Sequence, residues 1–168
     1  MMFNRVIGIF RFDLKLYGEI EHSENATAQA LLIVAAVSVI AALGNALGAQ
    51  IAHHPFFPRF ITSLIWGLVG WILYTAISFF VGTVLFKGHG IPAGVLRILG
   101  FSYVPQVLAI IPFMGALAGW LWSMAAGFLA IYTCMKLGSL KTLATIFIGF
   151  GLYLTGHIIL GVTLGGFF

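Results

Sequence analysis

Carboxylates are scarce in this chain of 168 residues. Asp13, Glu19, Glu21 and Glu24 are all there are, and none follows Glu24. That gap excludes the intramembrane acid chemistry of proton-coupled transporters and aspartyl proteases. Cysteine occurs once, as Cys134, so no internal disulfide can form. Charged residues of all kinds make up only 7% of the chain, against about 25% in a soluble domain. With 61% hydrophobic residues and a mean hydropathy of +1.11, the protein cannot wet its own surface, and a bilayer must cover it. The net charge of +4 does not indicate nucleic acid: the eight cations are scattered over the ends of apolar segments and make no basic patch.

What is abundant is long apolar sequence. Five such stretches follow a polar start: Ala26–Ile51, Phe60–Phe86, Ala93–Ile111, Phe113–Met135 and Thr142–Phe167. Each is long enough to cross a hydrocarbon core of about 30 Å at 1.5 Å per residue. The linkers "HHPFFPR", "KGHGIP" and "KLGSLK" are brief and polar. Almost nothing separates the third and fourth stretches, so Pro112 closes a tight hairpin between them. The first stretch is too long for the apolar core of a cleaved signal peptide, and its leader is rich in acids. The expected fold class is therefore an all-α integral membrane protein: five transmembrane helices preceded by an amphipathic interfacial helix.

Orientation follows from lysine and arginine. Arg5, Arg11 and Lys15 precede the first span, Lys87 and Arg97 flank the second connection, and Lys136 and Lys141 the fourth. With five spans these seven cations share one side, and only Arg59 lies on the other. The pattern predicts a cytoplasmic N-terminus and an outside C-terminus, in a prokaryotic cell membrane. Residues 1–25 read as a cytoplasmic amphipathic segment. Phe3, Val6, Ile7, Phe10, Leu14 and Tyr17 form its apolar stripe, with Asn4, Gly8, Arg11, Lys15 and Glu19 opposite. Residues 26–168 read as the five-helix membrane domain.

Candidate chemistry is sparse. Of the histidines, His22, His53, His54 and His89 read as interfacial loop residues, and the adjacent pair His53–His54 diverges on a helix. His157 lies within the fifth span and must find a partner there. A backbone carbonyl or hydroxyl is the plain reading; ligation of a flat cofactor beside Gly156 and Gly161 is the sharper one. A Ser123–His157 nucleophile pair lacks the surrounding turn and oxyanion site. No metal and no cofactor is predicted.

Small residues recur every four positions: Gly44 and Gly48 in the first span, Gly115, Gly119, Ser123 and Gly127 in the fourth, Gly161 and Gly165 in the fifth. Such spacing lets helix backbones close up, within the chain or against another protein. Pro105 breaks the third span, "RILGFSYVPQVLAIIPFMG". It removes a backbone donor and frees the carbonyl of Phe101, which lipid cannot satisfy. Ser102, Tyr103 and Gln106 lie within a turn of it, and Gly100 gives neighbours room at the bend. These residues serve either to satisfy the kink locally or as a polar notch for a lipid headgroup or peptide.

At this point the residues resemble a family. "LKLYGEIEHSENATAQALLIVAAVSVIAALG" resembles the pre-span and first-span region of prokaryotic members of the Yip domain family, five-span proteins named for Ypt-interacting proteins. "LGFSYVPQVLAIIPFMGALAGWLWSMAAGFLAI" is similar to that family's third and fourth spans, with Gly100, Phe101, Pro105, Pro112, Gly115 and Trp122 in matching places. Eukaryotic members carry Asp-Leu-Tyr-Gly-Pro ahead of the spans. Here Leu16, Tyr17 and Gly18 match, while Lys15 and Glu19 stand in place of the acid and the proline. The resemblance implies a non-enzymatic integral protein that acts through membrane and protein contacts.

Three functions are carried forward. The first is a non-catalytic scaffold or accessory subunit, with membrane lipids and other integral membrane proteins or a second copy of itself as partners. The second is a small transporter or channel using the notch at Pro105. The third is a cofactor-holding subunit of an energy-transducing complex, through His157.

Overall fold

A computed structural model describes residues 2–163, without the side chains of residues 157 and 160–163. His157 and Gly161 as site residues, and Gly165 altogether, therefore lie outside the described residues. The described chain is helical throughout: α1 (Met2–Phe10), α2 (Leu14–His22), α3 (Ala26–Ile51), α4 (Phe56–Phe80), α5 (Pro92–Phe101), α6 (Met114–Met135) and α7 (Ser139–Thr163). Two irregular helical pieces complete it. A π-helical turn, Val81–Leu85, extends α4, and a 3-10 helix, Val104–Ile110, follows α5.

Five segments are long and apolar enough to span a membrane: Ala26–Ile51, Phe56–Leu85, Pro92–Ile110, Met114–Met135 and, of the described residues, Ser139–Gly156. The side bearing the N-terminus is called proximal below and the other distal. α4 starts four residues ahead of the expected Phe60, because the amides of a first helical turn need no intrahelical acceptor and Pro58 is tolerated there.

The third span differs most from expectation. It is not one kinked helix but two helices of different kinds. α5 ends at Phe101, and from Val104, one residue ahead of Pro105, the chain continues with the tighter 3-10 pattern. It is nevertheless the best shielded span, with 56% of its apolar window buried against 22% for the fifth. Irregular backbone survives at membrane depth only when protein rather than lipid surrounds it. Accordingly the broken span lies between α3 and α6.

The amphipathic start is two helices rather than one. Phe12 takes a left-handed conformation (φ 57°) and reverses the chain. Asp13 caps α2 by accepting from the Lys15 amide at 3.0 Å. Gly8 falls on the inner face of this hairpin, against Leu16. Arg5, 7% exposed, is the staple. Its Nη2 donates to Glu19 Oε1 at 2.8 Å and to Ser23 Oγ at 3.2 Å, and its Nη1 to Gln29 Oε1 at 2.9 Å. Arg97 makes the second tie, donating to the Glu21 carbonyl at 2.9 Å and to Thr27 Oγ1 at 2.6 Å. Ile9, Tyr17 and Ile20 are fully buried in the same core as Ile98, Phe101, Ala126 and Ile131.

Candidate functional site

The glycine faces come first, because they decide what surface is left over. A β-carbon on Gly44 would collide with the carbonyl of Ala109. One on Gly48 would lie 3.3 Å from Pro112, and one on Gly119 would lie 2.7 Å from the Pro105 carbonyl oxygen. Gly115 presses on the Leu108 carbonyl, Gly127 approaches Leu99 at an ordinary 3.8 Å, and Gly100 opens room for Ala30 and Trp71. Gly44, Gly115 and Gly119 thus grip the 3-10 segment from both sides, while Gly48 rests on Pro112 beyond it and Gly127 faces α5. They are not a free docking face.

Pro105 is where the α pattern is interrupted, and the gripped segment around it is 3-10. Without an amide hydrogen at residue 105 the α pattern fails, and the chain changes to three-residue bonds. The Tyr103 amide donates to Gly100 at 3.2 Å, that of Gln106 to Tyr103 at 3.0 Å, and that of Ile111 to Leu108 at 3.0 Å. The Ser102 Oγ donates to the Ile98 carbonyl at 2.9 Å, which the Ser102 amide already reaches at 2.8 Å, so it reinforces the end of α5 rather than replacing the bond lost at Pro105. Gln106 does not share that local task. Three residues per turn place Tyr103, Gln106 and Ala109 on one line, and that line borders a cleft.

The cleft is made of three adjoining hollows that share lining residues. Its outer part, about 560 Å³, is lined among others by Asn45, His54, Arg59, Thr62 and Pro112 at the distal end. Its middle part, about 230 Å³, shares Asn45, Arg59 and Thr62 with the outer one and adds Ser38, Ser63, Tyr103 and Gln106. Its inner part, about 190 Å³, shares Tyr103, Gln106 and Tyr153 with the middle one and reaches Trp71, Ser102, Trp120, Ser123 and Phe150. Aromatic rings wall this inner hollow. Trp120 and Phe150 lie 5.4 Å apart, and Tyr74 and Tyr153 meet edge to face at 6.4 Å. Trp71 is 6% exposed, and its indole nitrogen and the Ser123 hydroxyl are buried without a hydrogen-bond partner. A buried donor left unpaired costs about 1–3 kcal/mol.

The hollow is blind. On its proximal side Ile98, Ala126, Ala130 and Ile131 are at most 1% exposed. Arg59, the lone distal cation, is exposed at the cleft mouth, and Arg5–Glu19 is the only ion pair among the described residues. Order along the cleft is therefore cationic, then neutral polar, then aromatic. Of the expected site residues, Ser102, Tyr103 and Gln106 converge on it, together with Ser123 and Gly127 from the fourth-span stripe; Gly44, Gly48 and Pro112 line its outer part, and Pro105 does not line it. Sequence reasoning missed Asn45, Thr62, Trp71 and Tyr153. Only Arg59 carried a signal, as the single cation on its side. No group of three or more His, Cys, Asp or Glu that could hold a metal ion occurs among the described residues.

Fold and cleft together define a multi-pass α-helical membrane protein built around a broken third span. A model of the Yip1 domain matches residues 10–163, nearly the whole chain. The chain belongs to the Yip1 domain family. No curated protein and no solved structure matches it.

Proposed function

We propose that this is a non-catalytic membrane protein that binds an anionic amphiphile of the lipid class from the distal leaflet. The observation that carries this reading is the order of groups along three adjoining hollows. Arg59 meets a phosphate; Asn45, Thr62, Ser63 and Gln106 meet a glycerol and ester region; the aromatic hollow takes the start of a chain. An engineered apolar cavity of about 150 Å³ holds a benzene ring, so an inner hollow of about 190 Å³ holds only a short apolar segment. The Trp71 indole and the Ser123 hydroxyl, buried there without partners, can donate to the carbonyl at the head of that chain.

The scaffold reading loses its main motive, since the glycines of the first and fourth spans are occupied within the chain. Lipid contact and protein contact are compatible, and the lipid-filled cleft is the part that the geometry argues for. Passage of a solute would need the proximal seal of Ile98, Ala126 and Ile131 to open.

The test is lipid retention. Protein extracted in mild detergent is exchanged into phosphatidylglycerol or phosphatidylcholine, and bound lipid is counted by native mass spectrometry. Phosphatidylglycerol should be held in preference. Arg59→Gln removes a charge-assisted hydrogen bond of about 1.5–3 kcal/mol, so retention should drop about tenfold or more. Equal retention by Arg59→Gln, Gln106→Leu and the parent would overturn the proposal. Solute flux in reconstituted vesicles, abolished by Gln106→Leu, would favour transport instead.

A further inference from the structure

The N-terminal hairpin lies along the side of the bundle, not on its end. Its tip is fixed by two ring contacts to α6: Phe10 meets Trp122 edge to face at 5.7 Å, and Phe12 stacks on it at 6.1 Å. Phe12 also borders an apolar groove with Met124, Phe128 and Phe147. The other end of the hairpin is fixed as well. Arg97 on α5 holds the Glu21 carbonyl, and Gly94 lies against Glu21. The hairpin thus descends from a polar layer at Glu21 and Arg97 to the level of Trp122.

That descent can be measured along the helices. Trp122 stands thirteen residues from the proximal end of α6 at Met135, about 20 Å at 1.5 Å per residue. Measured instead from Glu21 to Leu14 along α2, the tip lies about 10 Å below the Arg97 layer. A hydrocarbon core is about 30 Å thick. Half of that core is about 15 Å, so the hairpin's own length puts its backbone tip inside the proximal half, while Trp122, about 20 Å from the end of α6, stands past the midplane and is met by the Phe10 and Phe12 rings.

Three charged residues sit at that tip, Arg11, Asp13 and Lys15, and all are exposed. Asp13 is committed to the α2 amide at Lys15. Arg11 and Lys15 have no acidic partner among the described residues, where the only ion pair is Arg5–Glu19. An extended basic side chain carries its charge roughly 6–7 Å from its α-carbon, which is still less than the depth to be crossed. Charge at such depth is accommodated by snorkelling, local thinning and water defects.

We propose that the hairpin is a re-entrant wedge in the proximal leaflet, and that Arg11 and Lys15 hold lipid phosphates drawn inward to its tip, thinning that leaflet locally. The exposed apolar residues Phe3, Phe12 and Leu14 face the acyl chains around the same wedge. This inference is independent of the distal cleft and rests on the five spans alone.

The experiment uses the full chain with Cys134→Ala in mixed phosphatidylcholine–phosphatidylglycerol vesicles. A single nitroxide is placed at the exposed positions Leu14→Cys or Leu121→Cys, the latter one residue from Trp122 on α6. Collision with a water-soluble nickel chelate reports hydration at each site. The Leu14 site should be several-fold more accessible than Leu121, which stands deeper, about 21 Å from the end of α6, so the deciding contrast is at Leu14 itself, between the parent and the doubly neutralised protein. Arg11→Gln with Lys15→Gln should dry it to the Leu121 level. Added inorganic phosphate should change nothing, since lipid phosphate is the ligand. A Leu14 site as dry as Leu121 in the parent overturns the proposal. So does a Leu14 site that stays wet in the doubly neutralised protein, which would put the hairpin on the membrane surface. Both substitutions are at exposed positions, and unchanged thermal unfolding would confirm that the fold survives them.

Discussion

Gly44 offers the sharpest test of the packing around the broken span. In Gly44→Ala the new methyl would overlap the carbonyl oxygen of Ala109 and lie 2.6 Å from its carbonyl carbon and 2.8 Å from the Ile110 α-carbon. These are backbone atoms, and they cannot retreat. On their far side Gly119 brings α6 within 2.7 Å, by the same measure, of the Pro105 carbonyl, and Gly115 presses on Leu108. Overpacking costs about 1–3 kcal/mol, and a clash with trapped backbone belongs at the upper end. Alanine gains about 1 kcal/mol over glycine in a helix. The net expectation is a loss of about 2 kcal/mol. Gly151→Ala is the matched control, because nothing lies within 4 Å of a methyl there. It should be neutral or stabilising by up to about 1 kcal/mol. Reversible unfolding in mixed micelles, titrated with a denaturing detergent, compares the two. A gap between them smaller than about 0.5 kcal/mol would refute the argument, since that is the scatter of substitutions that touch nothing. Gly44→Ala combined with Gly119→Ala should depart from additivity by more than about 0.5 kcal/mol, because both act on one segment.

Arg5→Gln should loosen the N-terminal hairpin by about 1–3 kcal/mol, read as faster proteolysis near Phe12, because one guanidinium ties Glu19, Ser23 and Gln29. Glu19→Gln should cost less than about 1 kcal/mol in the same assay, because its side chain is 59% exposed and water screens the pair. Ser102→Ala removes the hydroxyl that donates to the Ile98 carbonyl and should cost about 1 kcal/mol of unfolding free energy without loss of the cleft. Tags at the two chain ends should be found on opposite sides of the membrane, with the N-terminal tag on the cytoplasmic side, as the distribution of lysine and arginine requires.

Hydropathy made five spans legible, because an apolar run of this length has no other stable home. The break at Pro105 was legible too, since a missing amide is written in the residue type. What could not be read was the scale of the change. A single proline permits a kink, and the switch to 3-10 depends on α3 and α6 closing around the segment through Gly44, Gly115 and Gly119. The partners of those glycines were equally hidden: four-residue spacing marks a close approach but not what approaches. In the cleft, Tyr103 and Gln106 announced themselves as polar residues beside a proline. Asn45 and Thr62 did not, because each is unremarkable on its own helix and only the pairing of α3 with α4 brings them together. The turn at Phe12 was masked by a helical stripe that runs straight through it.

These features share one geometric cause. The third span is the shortest with fully described ends, at 19 residues, and as a regular α-helix it would reach about 28 Å. With seven residues in the 3-10 form, which rises about 2.0 Å per residue, it reaches about 32 Å and matches the hydrocarbon core. A stretched helix is also thinner, so glycines on both neighbours can close on its backbone and shield the irregular bonds from lipid. Three residues per turn then align Tyr103, Gln106 and Ala109 along one edge, where an α-helix would have wound Gln106 and Ala109 progressively around its axis. The same residue that denies the chain an amide thus lengthens the span, calls for the glycine faces and sets polar side chains in a row beside the cleft.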